Sequence, residues 1–141
     1  MCSSALGPMF NAYASAARGE QTQKEEYQKS VTYDELAKQA RNEGSYNAEL
    51  YAKKVDKLQG SQRASMGASG LDASSGSFSK LGVDTAATGQ EDINTINRNA
   101  MMKAWGYKVK ANEAMYKGNK AMDEGMAGAF GSILGDRKSV V

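Results

Sequence analysis

Histidine is absent from this 141-residue sequence, and cysteine occurs once, at Cys2. Without histidine there is no Ser-His or Cys-His nucleophile pair, and the most frequent general base and metal ligand are both missing. A single cysteine beside the initiator Met builds neither a zinc site nor an internal disulfide, so the redox compartment is left unspecified. Proline is confined to Pro8, so nothing after it forbids long helices. One Trp, three Phe and a mean hydropathy of −0.60 leave little bulk for a conventional core. Neither an enzyme nor a cofactor or metal site is expected from this inventory. Helix packing through Ala, Gly and Tyr suits what remains.

Long apolar runs are missing as well. No stretch approaches the roughly 18–20 apolar residues of a membrane-spanning helix, and the start lacks the basic segment and compact apolar core of a signal peptide. Synthesis and folding in a cytoplasm are the expectation. The 18 Lys+Arg and 16 Asp+Glu interleave along the chain without forming a basic stripe, so specific nucleic-acid recognition is not expected.

What is present is helical periodicity on either side of a Gly/Ser-rich stretch. Residues Gly60 to Gly89 hold six of the fifteen glycines, a density that predicts a non-helical connector over 61–90. Before it, Tyr33, Ala37, Ala40, Gly44, Ala48, Tyr51, Val55 and Leu58 step by three or four and predict a first long helix over 20–60. Glu20–Lys24, Glu25–Lys29, Asp34–Lys38 and Glu49–Lys53 place an acid four residues before a base, each pair adding about 0.2–0.5 kcal/mol. Thr22 with Glu25 and Thr32 with Glu35 have capping-box spacing, compatible with a start at either or a helix through both. After the connector, Thr88 with Glu91 offers another box. Ile93, Ile96, Ala100, Ala104, Tyr107, Ala111, Ala114, Gly118 and Ala121 then mark a second long helix over 91–124. The steps Ala40–Gly44–Ala48 and Ile96–Ala100–Ala104 lengthen the repeat towards eleven residues, which favours straight or slightly right-handed packing.

The predicted fold is all-α: an elongated helical hairpin of two long helices joined by the connector, assembling into a homo-oligomer. Alanine and glycine bury little area each, so further copies supply what one hairpin lacks. Tyr51, Val55, Leu58, Ile93, Ile96, Ala104, Trp105, Tyr107 and Ala111 are the expected packing residues, with Trp105 and Tyr107 anchoring subunits. The connector contains neither GxxxxGK[ST] nor GxGxxG, and Asp72 reads as a turn or cap residue rather than a calcium ligand.

Both ends are uncharged: MCSSALGPMFNAYASAA within the segment 1–19, and GMAGAFGSILG within the tail 125–141. Each is too short to span a bilayer. Antiparallel arms bring them to one tip, where Leu6, Met9, Phe10, Met126, Phe130, Ile133 and Leu134 offer an apolar surface to a membrane or a partner. The alternative is a pair of packing segments or loose tails.

The run RASMGASGLDASSGS at Arg63 to Ser77, followed by INTINRNAMMKAWGYKVKANEAMYKGNKA at Ile93 to Ala121, resembles the small internal virion, or ejection, proteins of short-tailed phages. The short apolar start beginning with Met-Cys is similar to that family's too. The resemblance covers the central and C-terminal two-thirds, and its motifs are compositional. It implies a protein stored inside the capsid near the portal, beside portal, tail or other internal virion proteins. It also implies expulsion ahead of the genome and assembly in the host envelope as part of a DNA conduit. No catalytic residues follow from it. The competing expectation is a static core or head–tail adaptor that stays in the particle.

Overall fold

The computed structural model describes residues 6–72 and 76–135. Cys2, residues 73–75 of the glycine-rich stretch and the end of the tail from 136 onward lie outside the described residues. Two helices, α1 (Leu6–Ala68) and α2 (Ser77–Gly135), account for almost everything described, and they pack against each other as an antiparallel hairpin. Pro8 sits in the first turn of α1, where its missing N–H has no helical acceptor to lose.

Both helices are longer than the sequence pattern implied. Helix α1 begins well before residue 20 and runs through Thr22 and Thr32, so neither capping box marks its start; α2 likewise passes through Thr88. The stretch 61–90 is largely helical: α1 continues to Ala68 and α2 resumes at Ser77. Gly60, Gly67, Gly82 and Gly89 are helical, and only Gly70 (φ +68°) and Gly76 (φ +58°) use the left-handed backbone that glycine permits. Gly70 ends α1 in a Schellman arrangement, with Leu71 N–H donating to Met66 C=O at 3.2 Å and Gly70 N–H to Gly67 C=O at 3.2 Å. Glycine density overstated the break because a helical glycine costs only about 1 kcal/mol, which contacts across the hairpin offset.

The hairpin divides into two compact units. Unit 1 joins Met1–Leu36 to Tyr107–Val141, and unit 2 is Ala37–Gly106. In unit 1 the residues turned towards the opposite helix are Ala12, Gly19, Gln23, Glu26, Ser30 and Tyr33 on α1, and Tyr107, Ala111, Ala114, Gly118, Ala121 and Gly125 on α2. From Gly19 onward their steps alternate between three and four, a seven-residue repeat that suits left-handed packing. In unit 2 the seam is Ala40, Gly44, Ala48, Tyr51, Val55, Gln59 and Gln62 against Thr85, Gly89, Ile93, Ile96, Ala100 and Ala104. Here the steps run four, four, three, giving an eleven-residue repeat that suits right-handed packing. The longer repeat anticipated for the whole hairpin is thus a property of unit 2. It also moves the step after Val55 to Gln59, leaving Leu58 on the flank, 51% exposed.

Candidate assembly surface

The hairpin core is made of small side chains. Ala12, Ala37, Ala40, Ala48, Ala104, Ala111 and Ala114 are its buried apolar residues, with Ser30 buried beside them. Among the described residues no large side chain is fully buried. Where both helices present glycine the backbones meet directly. A Cβ on Gly19 would stand 2.9 Å from the Ala121 carbonyl oxygen and 3.1 Å from Gly125 Cα, and one on Gly125 would stand 3.0 Å from Gly19 Cα. The sequence pattern missed Gly19 and Gly125 because each lies one residue outside the helices predicted over 20–60 and 91–124, whereas α1 and α2 extend past them. Each continues the seven-residue repeat, which is the signal that could have found them.

Polar contacts fix the register within each unit. In unit 1, Ser15 Oγ donates to Gly125 C=O at 3.2 Å, Gln23 Nε2 to Asn119 Oδ1 at 3.3 Å, and Lys108 Nζ pairs with Asp34 Oδ1 at 2.8 Å. Tyr33 and Tyr107 stack with centroids 6.4 Å apart, and Lys110 Nζ lies within 6 Å of both rings, at 5.9 and 5.8 Å. In unit 2, the Tyr51 hydroxyl donates to Asp92 Oδ2, Gln59 Nε2 donates to Gly82 C=O at 3.3 Å, and Lys103 pairs with Glu43 at 3.7 Å. Of the four acid–base pairs read from spacing, Glu20–Lys24 and Glu49–Lys53 form at 2.7 Å. Lys29 instead takes Glu26, at 2.5 Å, and Asp34 reaches across to Lys108.

Many of the bulky apolar side chains lie outside the seam. All seven residues expected at the ends are exposed, including Phe10 at 74% and Phe130 at 61%. Ser15 and Gly125 join the two uncharged ends within unit 1. Trp105, expected as a packing residue, is 70% exposed although its neighbour Ala104 is 0% exposed, because one helical step turns it about 100° off the seam. It borders an open apolar surface of unit 2 with Asn94, Asn97, Arg98, Met101 and Met102. Tyr51, Val55, Ile93, Ile96 and Tyr107 are half-buried on the seam, and Ala111 is buried there.

In unit 1 the exposed residues sort by their place beside the seam. On α2 a charged residue stands immediately before each of five seam residues: Lys110–Ala111, Glu113–Ala114, Lys117–Gly118, Lys120–Ala121 and Glu124–Gly125. The residues immediately after them are uncharged: Asn112, Met115, Asn119, Met122 and Met126. On α1, Arg18 precedes Gly19 and Lys29 precedes Ser30, whereas Tyr13 follows Ala12, Tyr27 follows Glu26 and Val31 follows Ser30. Leu6, Met9 and Phe10 fall seven, four and three residues before Tyr13, on its face. In antiparallel neighbours the same offset from the seam leads to the same side of the pair. One groove accordingly combines Lys24 and Tyr27 with Met115 and Asn119. A second groove combines Asn11, Arg18 and Thr22 with Glu124. Glu20, Lys24, Asp34 and Lys108 also follow seam residues, so charge occurs on both sides of unit 1, but its large apolar residues gather on one, its apolar side.

Among the described residues there is no cluster that could hold a metal ion and no helix long and apolar enough to cross a membrane. No protein-family model, curated protein or solved structure matches this chain.

Proposed function

We propose that this chain is a self-assembling helical virion protein of a short-tailed phage, held inside the capsid near the portal and ejected to help build a conduit for DNA across the host envelope. The observation that carries the reading is the inverted distribution of bulk: the buried apolar residues are all alanine, while many of the Phe, Met, Tyr, Leu and Trp side chains are exposed. An isolated soluble protein gains nothing from that arrangement, whereas a subunit that exchanges partners needs it. In the particle the apolar surfaces pack on copies of the chain and on portal, tail or core proteins. After ejection they repack within a ring whose uncharged ends face the envelope membrane. The resemblance of Arg63 to Ser77 and Ile93 to Ala121 to ejection proteins supports the same reading. No cofactor, catalytic group or base-reading contact enters this mechanism.

The absence of a membrane-spanning helix among the described residues favours a second reading, a static core or head–tail adaptor that never leaves the particle. Measuring the protein in particles before and after genome release separates the two. Loss from emptied particles with recovery in the host envelope fraction is expected, and retention in emptied particles would establish the adaptor.

A further inference from the structure

The apolar side of unit 1 is laid out for a partner that is itself two helices wide. We propose that this side packs face to face against the same side of a second copy, closing two hairpins into a four-helix layer with the bulky residues at its centre. The inference deepens the self-assembly reading above by naming the surface through which copies meet.

Three observations favour a second copy. The first is area. Tyr27, Met115, Met126, Phe130 and Ile133 are each about half exposed or more, and with the remaining apolar residues of that side they form a continuous supply of contact surface. At roughly 100 Å² for each half-exposed large side chain, about ten of them give on the order of 1,000 Å², above the ~800 Å² per partner of a standard interface. The second is what the hairpin lacks. The buried residues of its seam are alanine, glycine and serine, so most of the large apolar side chains that a four-helix bundle keeps inside are here on one outer side, unpartnered. The third is charge. Glu20 with Lys24, and Asp34 with Lys108, follow seam residues and so fall on the apolar side, already ion-paired within the chain at 2.7 and 2.8 Å. A neutral, internally paired surface suits an identical surface, since neither copy brings an excess charge to the other. A lipid layer would instead have to accept both ion pairs at its boundary. Tyrosine and methionine, prominent on this side, are also the residue types enriched where proteins meet.

The full-length chain is tested by light-scattering mass over a concentration series. Wild type is expected to show at least two chains per particle. Tyr27→Glu with Met115→Glu is expected to weaken association at least tenfold, while Thr22→Glu with Lys120→Glu on the opposite side leaves it unchanged. Because the first pair could also unfold the hairpin, conservative single-cysteine chains in a Cys2→Ser background provide a second measurement. A short bifunctional maleimide should join two chains through Met115→Cys and not through Lys120→Cys. Equal cross-linking at both positions, or unchanged mass in the Tyr27/Met115 variant, overturns the proposal. A wild-type monomer that binds phosphatidylcholine–phosphatidylglycerol vesicles through this side also overturns it, in favour of a lipid surface. These readouts are independent of whether the protein leaves the particle, so failure here and failure of the ejection reading are distinguishable.

Discussion

A methyl group added to Gly44 would lie 2.1 Å from the Cβ of Ala100 on the opposite helix. That separation is far inside van der Waals contact, so the close approach of α1 and α2 in unit 2 depends on the missing side chain. Gly44→Ala should destabilise the hairpin by about 1–3 kcal/mol through overpacking, despite alanine's better helix propensity. Gly60 and Gly106 are also helical but have nothing within 4 Å of an added Cβ. Alanine at either should raise stability by up to about 1 kcal/mol. Thermal unfolding followed by circular dichroism gives both signs, and a stabilised Gly44→Ala would show that the helices are further apart.

Ala104 and Trp105 make a sharper pair. Ala104→Glu puts a carboxylate at a position with no exposure and should cost several kcal/mol, seen as loss of helix content and of assembly. Trp105→Ala should change the stability of the hairpin itself by no more than about 0.5 kcal/mol, because the indole lies off the seam. Equal losses from the two substitutions would place Trp105 inside the hairpin.

Acid should weaken the helices. Hydrogen bonds from Lys24, Lys53 and Lys117 hold the carboxyls of Glu20, Glu49 and Glu113 below the ordinary glutamate range, with the ammonium charge adding to the effect. A carboxyl whose folded pKa is depressed stabilises the fold above its unfolded pKa, and that contribution is lost as pH falls through the depressed value. Helix content measured across the carboxylate titration should decline towards acid. Replacing all three glutamates with Gln should flatten that decline, and an unaltered acid slope would assign it to other carboxylates.

The hydrogen bond from Tyr51 to Asp92 raises the phenol pKa, with burial and the carboxylate charge acting in the same direction. A raised folded pKa means that the contribution is complete below the unfolded value and disappears as pH climbs through the folded one. Ultraviolet titration should therefore contain a late-ionising tyrosine that Tyr51→Phe removes. If the late component survives in that variant, the cross-hairpin bond is absent in solution.

Phe10 and Phe130 lie on the uncharged end of unit 1 and are 74% and 61% exposed. Replacing both with Asp should leave helix content nearly intact and abolish liposome binding, and, because both fall on the side through which copies are proposed to meet, it should weaken association as well. Binding should be cooperative, because several copies each bring apolar side chains worth roughly 1.5–3 kcal/mol when fully buried. Indifference of wild-type assemblies to liposomes would make the ends packing segments and favour the adaptor.

Periodicity alone determined that the chain is two helices and which residues lie between them from Tyr33 to Val55 and from Ile93 to Ala121, since burial of a helix face leaves a repeating mark in sequence. The lack of histidine, which sets the catalytic expectations, is likewise a property of the sequence alone. Tertiary structure decided what has no local signature. Gly82 and Gly89 look like connector residues in isolation, yet they are helical, and at Gly89 an added Cβ would stand 2.8 Å from the Val55 side chain across the hairpin. Leu58 continues the sequence stripe yet is exposed, and Trp105, expected to anchor subunits, lies off the seam, because a one-residue offset of about 100° separates seam from flank and only the partner helix fixes where the seam runs. The two sides of unit 1 arise in the same way. Each helix places its bulky apolar residues after the seam residues, but only antiparallel pairing puts the two flanks on one side.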